Sequence, residues 1–149
     1  MKRTTHYPIV LCVVLLVAFT ALGQSARSAD GPAVSGTLRP WHTVTLTFTG
    51  PKTSESAEPN PFTDYRLEVT FTNGDALYVA PGFYAADANA AHTSAKAGDK
   101  WQVRFTPDRP GRWQYVASFR QGPDVAIADD PQAGAPAGLF DAVTGHPDV

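Results

Sequence analysis

The chain has 149 residues, of which 43% are hydrophobic and 17% are charged, and its formal net charge is −2. The one cysteine, Cys12, lies near the N-terminus, so the sequence beyond it predicts neither a disulfide framework nor a thiolate metal site. From Asp30 onward the chain carries nine basic and 14 acidic residues, which gives a net charge of −5. Without clustered Lys and Arg, this composition disfavours nucleic acid and anionic membrane surfaces, and we predict neither as a partner.

Residues 1–29 have the pattern of a secretory signal peptide. Lys2 and Arg3 precede an apolar run from Ile9 to Leu22. Ala21 and Gly23 are small residues suited to signal-peptidase cleavage, and Ala29 is a later alternative. The run is short for a membrane span, and a retained N-terminal anchor is the alternative. We therefore expect a protein that is secreted, periplasmic or at the cell surface, without a membrane partner after cleavage. The remaining 120 or so residues are enough for one domain.

The first half of the mature chain predicts two strands. After a short lead-in from Asp30 to Val34, apolar and polar residues alternate from Thr43 to Thr49, which is typical of a half-buried strand. Gly50 to Pro61 is rich in proline and indicates a loop. The alternation returns from Tyr65 to Thr72 and places Leu67 and Phe71 on the apolar face.

A hairpin follows the second of these strands. Asn73-Gly74 is a strong turn signal, because both residues tolerate positive φ. Ala76 to Ala80 is predicted to return as a strand, with Leu77 and Val79 continuing the apolar face. Pro81 to Asp99 shows no apolar periodicity, and we interpret it as a long loop with one helical turn at most.

Lys100 to Phe119 predicts two strands joined by a corner at Pro107 to Gly111. The spacing of Asp108, Gly111, Trp113 and Tyr115 imitates the corner between the fifth and sixth strands of immunoglobulin-like sandwiches. The alternation of these strands and of the Tyr65 strand predicts the following core side chains: Leu67, Phe71, Trp101, Phe105, Trp113 and Tyr115.

The pattern fades after Phe119. Val125 and Ile127 suggest a short strand, and residues 129–149 have the Pro/Gly/Ala-rich composition of a linker. Several short strands without an amphipathic helix predict an all-β, immunoglobulin-like antiparallel β-sandwich over residues 30–128. Residues 129–149 are expected to be a truncated linker or a shortened last strand. If that strand is missing, the Trp113 strand becomes an unpaired edge that invites association.

The binding candidates are aromatic residues in predicted loops. Phe83 and Tyr84 lie in the loop after the hairpin, where sandwiches collect binding residues, and Trp41 precedes the first strand. A packing role for each is the alternative. Glu55 and Glu58 lack a pocket that would raise a carboxyl pKa, as a glycosidase acid requires. His and Asp residues lack metal-site spacing, so we predict no catalytic residues, no metal and no cofactor.

Three segments carry a resemblance to a known family: Trp41 to Phe71, Pro81 to Ala95 and Lys100 to Tyr115. In order and spacing they resemble domain of unknown function 5060, over about residues 34–143. The resemblance implies an immunoglobulin-like module at the N-terminus of secreted bacterial proteins. Those proteins usually continue into a TIM-barrel domain similar to apiosidase-like glycoside hydrolases, and some carry a collagen-binding label. The family supplies no catalytic residues for this module, and no barrel sequence is present in these 149 residues.

Taken together, the pattern and the resemblance predict a non-catalytic accessory module of a secreted polysaccharide-degrading protein. Its partner would be a catalytic TIM-barrel domain or a polysaccharide. A free-standing glycan- or collagen-binding module is the alternative. An enzyme in its own right is disfavoured, since no convergent set of polar groups is visible in the sequence.

Overall fold

The computed structural model describes residues 31–149, so the predicted signal peptide lies outside the described residues. Within them, strands dominate, and the two helical elements are single turns. The strands are β1 (Ala33–Gly36), β2 (Val44–Ser54), β3 (Tyr65–Asn73), β4 (Ala76–Ala86), β5 (Ala97–Phe105), β6 (Gln114–Gln121), β7 (Ala135–Pro136) and β8 (Thr144–Gly145), with helix α1 (Ala90–Thr93) and a 3-10 helix (Val125–Ile127).

The strands form two antiparallel layers that share β4. One layer has the order β1–β2–β5–β4, and the other has the order β4–β3–β6 with β7 and β8 both on the outer side of β6. The first half of β4 pairs with β3 as far as Pro81 opposite Glu68. The second half pairs with β5 from Gly82 opposite Val103. The predicted antiparallel β-sandwich is confirmed, and β4 is the edge strand of both layers.

The core lies between the layers and is built mainly from aromatic rings. Phe71 and Phe105 stack across the layers with ring centroids 4.0 Å apart. Trp113 packs edge-on against Phe105 at 4.9 Å, and its indole N–H donates to the Arg109 carbonyl at 3.1 Å. That bond ties the corner before β6 back on itself, as the tyrosine corner does in related sandwiches. All six predicted core side chains are buried: Leu67, Phe71, Trp101, Phe105, Trp113 and Tyr115.

The prediction that Leu77 and Val79 continue the apolar face was wrong. The hairpin pairs Asn73 with Ala76, so its loop is Gly74-Asp75. This register places Leu77 opposite Thr72 and Val79 opposite Thr70. Directly opposed residues share a face of the sheet, and these threonines point outward. Leu77 and Val79 therefore lie on the solvent side.

The expected loop from Pro81 to Asp99 was also wrong in its first part. Residues 81–86 continue β4, and β5 begins at Ala97, so only the segment around α1 is irregular. Pro81 and Gly82 weaken the strand signal in the sequence, because both residue types are uncommon in strands. Three further corrections are that residues 125–127 form a 3-10 helix, that Ala33–Gly36 is a strand, and that β2 continues to Ser54 into the expected loop.

Residues 128–149, which we call the C-terminal strap, run along the outer edge of β6. Residues Ala135 and Pro136 pair with the end of β6, and Thr144 and Gly145 pair with its start. Phe140 is buried and stacks on Phe119 at 4.2 Å and on Phe48 at 4.7 Å. The last-strand position is thus filled by two short pieces, and the unpaired β6 edge that we considered is not found.

Two arginines hold the start of the strap. The Arg66 guanidinium donates to the carbonyls of Ala128, Asp130 and Pro131 at 2.8–3.1 Å. Arg120 donates to three more carbonyls, those of residues 132, 133 and 134, at 2.6–2.8 Å. A segment with linker composition is therefore ordered by side chains of β3 and β6, because guanidinium groups present several donors in a fixed plane.

Candidate functional site

The most unusual surface is the outward face of β4. Its alternate residues are all apolar and exposed: Leu77 at 62%, Val79 at 54%, Phe83 at 40%, and Pro81. We call these four residues the β4 stripe. The outward face of an edge strand is normally polar or charged, which prevents association with other chains. An uninterrupted apolar row is therefore unusual at this position.

A cleft opens beside the stripe where β4 leaves β3. Beyond the Glu68–Pro81 pair the two strands diverge, because β4 crosses to the other layer and pairs with β5. The cleft has a volume of about 190 Å³. Leu67, Tyr65 and Trp101 form its buried floor, and its rim carries Phe62 and Phe83, both partly exposed.

Glycine at position 82 is required at the cleft for steric reasons. A Cβ atom there would lie 2.4 Å from Cγ of Leu67, closer than non-bonded carbon atoms approach. Leu67 therefore packs directly against the backbone of Gly82 at the floor of the cleft. On one wall, Phe62 contacts the Tyr84 ring edge-on at 6.0 Å. The cleft is thus lined by the Leu67 side chain at its floor and by aromatic rings on this wall.

Two charged residues also border the cleft. Glu68 places a carboxylate at the rim, next to Pro81 of the stripe. Arg66 lies on the same side, and its guanidinium is engaged by the strap carbonyls. The rim therefore offers a hydrogen-bond acceptor, while the neighbouring cation is already neutralised in part by main-chain dipoles.

The structure separates the three predicted binding residues. Phe83 lies in the stripe, with the Arg104 guanidinium 5.3 Å from its ring centroid on the outer face. Tyr84 is 7% exposed and points into the core, where its hydroxyl donates to the Thr53 carbonyl at 2.7 Å. Burial raises the pKa of this hydroxyl above its usual value. The Trp41 side chain is 74% exposed. Its backbone has φ of 65°, and its main-chain N–H donates to the Pro107 carbonyl at 2.7 Å.

A polar network borders the hairpin end of the stripe. Arg109 donates to Asp108 at 3.1 Å and to Asp75 at 2.9 Å, and the Tyr78 hydroxyl donates to Asp108 at 2.9 Å. The guanidinium of Arg109 and the Tyr78 hydroxyl hold the pKa of Asp108 below its usual value. The same hydrogen bond raises the pKa of Tyr78. These interactions fix the corner against the hairpin and leave the apolar stripe next to a charged border.

Two loop aspartates accept hydrogen bonds from nearby main-chain N–H groups. Asp64 accepts the N–H of Asn60 at 2.9 Å, and Asp87 accepts the N–H of Asn89 at 2.8 Å. Among residues 31–149, no group of three or more His, Cys, Asp or Glu side chains is arranged to hold a metal ion. In the same part of the chain, no helix has the length and apolar character needed to cross a membrane.

Phe83 is the member of the stripe that was predicted from the sequence as a binding residue, and the stripe as a surface was not predicted. A signal was present, since residues 77, 79, 81 and 83 form an apolar row at strand spacing. The cleft leaves no comparable signal, because it depends on two strands parting at one point of the tertiary structure.

The fold and this surface define an immunoglobulin-like antiparallel β-sandwich with an exposed apolar edge. Residues 37–120 match the family model "Domain of unknown function (DUF5060)", which covers more than half of the chain. The chain therefore belongs to this family, as the sequence resemblance predicted.

Comparison with solved structures gives a crystal structure described as a putative glycoside hydrolase from Bacteroides vulgatus ATCC 8482. It is 23% identical to this chain, with a TM-score of 0.45. The match covers 72% of this chain and 14% of that chain, so this chain corresponds to a small part of the other protein. Comparison with curated proteins gives no match.

Proposed function

We propose that the chain is a non-catalytic accessory module of a secreted polysaccharide-degrading protein, and that it packs against the catalytic domain of that protein. Membership of the DUF5060 family supports the proposal through the domain architecture that the sequence resemblance implies. The observation that carries it is the β4 stripe. Burying its apolar side chains against a second domain would contribute about 25 cal/mol for each Å² removed from water.

The module suits this role mechanically. Its aromatic core and the strap make a scaffold whose exposed edge is one continuous strand, so the stripe keeps its shape without a partner. Interfaces between domains of one protein usually bury surfaces of moderate size and mixed polarity. An apolar row bordered by Asp108, Arg109 and Glu68 has that character.

The test begins with the genomic DNA beyond codon 149. A glycoside-hydrolase-like barrel encoded there is produced separately and titrated into residues 31–149 by isothermal calorimetry. We expect a dissociation constant in the micromolar range or tighter, about −8 kcal/mol, with a negative heat-capacity change from apolar burial. The proposal would be refuted if no barrel is encoded beyond codon 149, or if no binding is detected at concentrations a hundredfold above the expected dissociation constant.

Stripe variants make this test specific. The double variant Leu77→Thr and Val79→Thr keeps the β-sheet preference while removing apolar surface. Val34→Thr is the matched control, since Val34 is also an exposed strand residue but lies in β1 at the opposite edge. We expect the double variant to weaken binding at least tenfold and the control to leave it unchanged.

A second candidate function is a free-standing glycan- or collagen-binding module, favoured by the exposure of Trp41. Its indole presents a flat aromatic face to solvent, which is suited to stacking on a sugar ring or a proline. Affinity electrophoresis in soluble polysaccharides and a collagen-coated surface assay would compare the wild-type chain with Trp41→Ala. Retardation or adhesion that the variant loses would favour this function over the first.

A further inference from the structure

We propose that the partner domain inserts one apolar, ring-bearing side chain into the cleft between β3 and β4. We call this cleft the socket. This inference rests on the proposed function, and it adds the place and the chemistry of recognition. Interfaces between proteins are commonly dominated by a few large side chains that fill pockets on the other surface.

The size of the cleft suits a single ring. Its volume of about 190 Å³ is below that of sites for drug-sized ligands, which start at about 300 Å³. Dry cavities of about 150 Å³ lined by apolar side chains bind benzene. One phenyl or indole ring of a partner therefore fits this space, whereas an extended oligosaccharide does not.

The chemistry of the walls also favours an aromatic ring. Phe62 and Phe83 stand at the rim, and Tyr65, Leu67 and Trp101 lie below them. Aromatic pairs at ring distances of 4.5–7 Å contribute about 0.5–1.5 kcal/mol beyond simple burial. The Glu68 carboxylate at the rim can accept a hydrogen bond from an indole N–H or from a main-chain amide next to the inserted side chain.

The position of the cleft connects it with the stripe. Pro81 and Phe83 belong to both, so a partner that covers Leu77 and Val79 reaches the cleft without a gap. Leu77 and Phe83 are six positions apart along the strand, a length of about 20 Å. That length matches one face of a folded domain.

The course of the strap explains why a partner domain is a better occupant than an unconnected protein. The N–H of Val149 donates to the carbonyl of Gly111 at 3.0 Å, and the side chain of Asn73 donates to the neighbouring Pro110 carbonyl at 3.2 Å. Val149 therefore lies near the β3–β4 hairpin, at the end where the stripe begins. A domain joined there would meet the stripe at a high effective concentration.

The first test uses residues 31–149 alone. An NMR titration with N-acetyl-phenylalanine amide should shift signals of Gly82, Tyr84 and the Trp101 indole, whereas N-acetyl-alanine amide should not. Phe62→Ala removes one wall at a partly exposed position, so the fold should survive, and thermal unfolding checks this. We expect Phe62→Ala to weaken binding of the phenylalanine probe at least fivefold, while Val34→Ala leaves its binding unchanged. Shifts elsewhere, equal shifts with both probes, or no effect of Phe62→Ala would overturn the socket.

The second test measures binding of the barrel domain. Phe62→Ala should weaken it at least tenfold. Binding that is lost in the stripe variant but unchanged in Phe62→Ala would overturn the socket and leave the proposed function standing. If light scattering shows a homodimer that Phe62→Ala dissociates, the occupant is a second copy, which overturns the inference. A chain that binds no barrel overturns both proposals.

Discussion

Replacing Phe140 by alanine tests whether the strap is part of the folded unit. The ring is 2% exposed and is stacked between Phe119 and Phe48, at 4.2 and 4.7 Å, so the smaller side chain leaves a cavity in the core. Substitutions of buried phenylalanine by alanine cost about 3–5 kcal/mol. For a domain of about 120 residues, each kcal/mol lowers the melting temperature by about 3–5 °C. We therefore expect a decrease of about 10–20 °C.

Urea denaturation followed by circular dichroism measures the change in free energy directly. Leu139→Ala is the matched control, because Leu139 is adjacent but mostly exposed and should change stability by less than about 0.5 kcal/mol. The dependence of the free energy on urea should keep its slope if the strap unfolds together with the sheets. A loss below about 1 kcal/mol for Phe140→Ala would refute our reasoning, since the strap would then contribute little to the core.

Three further predictions concern the cleft, the acid sensitivity and the strap. Gly82→Ala places a Cβ against Leu67 and should cost about 1–3 kcal/mol in the free energy of unfolding, measured by urea denaturation; unchanged stability would contradict the close packing. The N–H groups of Asn60 and Asp124 hold the pKa of Asp64 below its usual value, so its stabilising effect is present above about pH 4 and is lost as the pH falls through the lowered pKa. Asp64→Asn should therefore show a smaller shift of the urea midpoint between about pH 6 and pH 3 than the wild type, and an equal shift would argue against this assignment. Arg66→Lys cannot reach three carbonyls, so amide exchange in residues 128–134 should accelerate; unchanged exchange would mean that Arg120 alone holds the strap.

The sequence predicted the strands whose inner faces are strongly apolar and failed for β4. From Tyr65 to Phe71 in β3 and from Trp101 to Phe105 in β5, every second residue is large and buried, so the period alone identifies both strand and face. In the first half of β4 the large aliphatic side chains, Leu77 and Val79, point outward, while the inner positions include the small residues Ala76 and Ala80. A two-residue hairpin loop fixes this orientation, because the residue opposite an outward threonine must itself point outward.

The strap could not be recognised from composition. Its Pro/Gly/Ala content is that of a linker, and its order comes from Arg66, Arg120 and the buried ring of Phe140. All of these contacts join parts of the chain that are distant in sequence. For the candidate site, Phe83 and Tyr84 were both predicted as loop residues, but their side chains lie on opposite faces of the same strand. Alternation along β4 would have separated the two, had residues 81–86 been identified as a strand.

The sharing of β4 between the two layers has a consequence for how the chain folds. Strands β3, β4 and β5 follow one another in sequence, so this meander can form early through short connections. β2 must then find β5 across a separation such as that from Val44 to Phe105, which makes folding slow compared with helical proteins of the same size. Because β4 pairs with β3 in one layer and with β5 in the other, neither layer can form fully without the other. We therefore expect folding and unfolding to proceed as one cooperative transition, in which a defect in either layer slows or destabilises the whole sandwich.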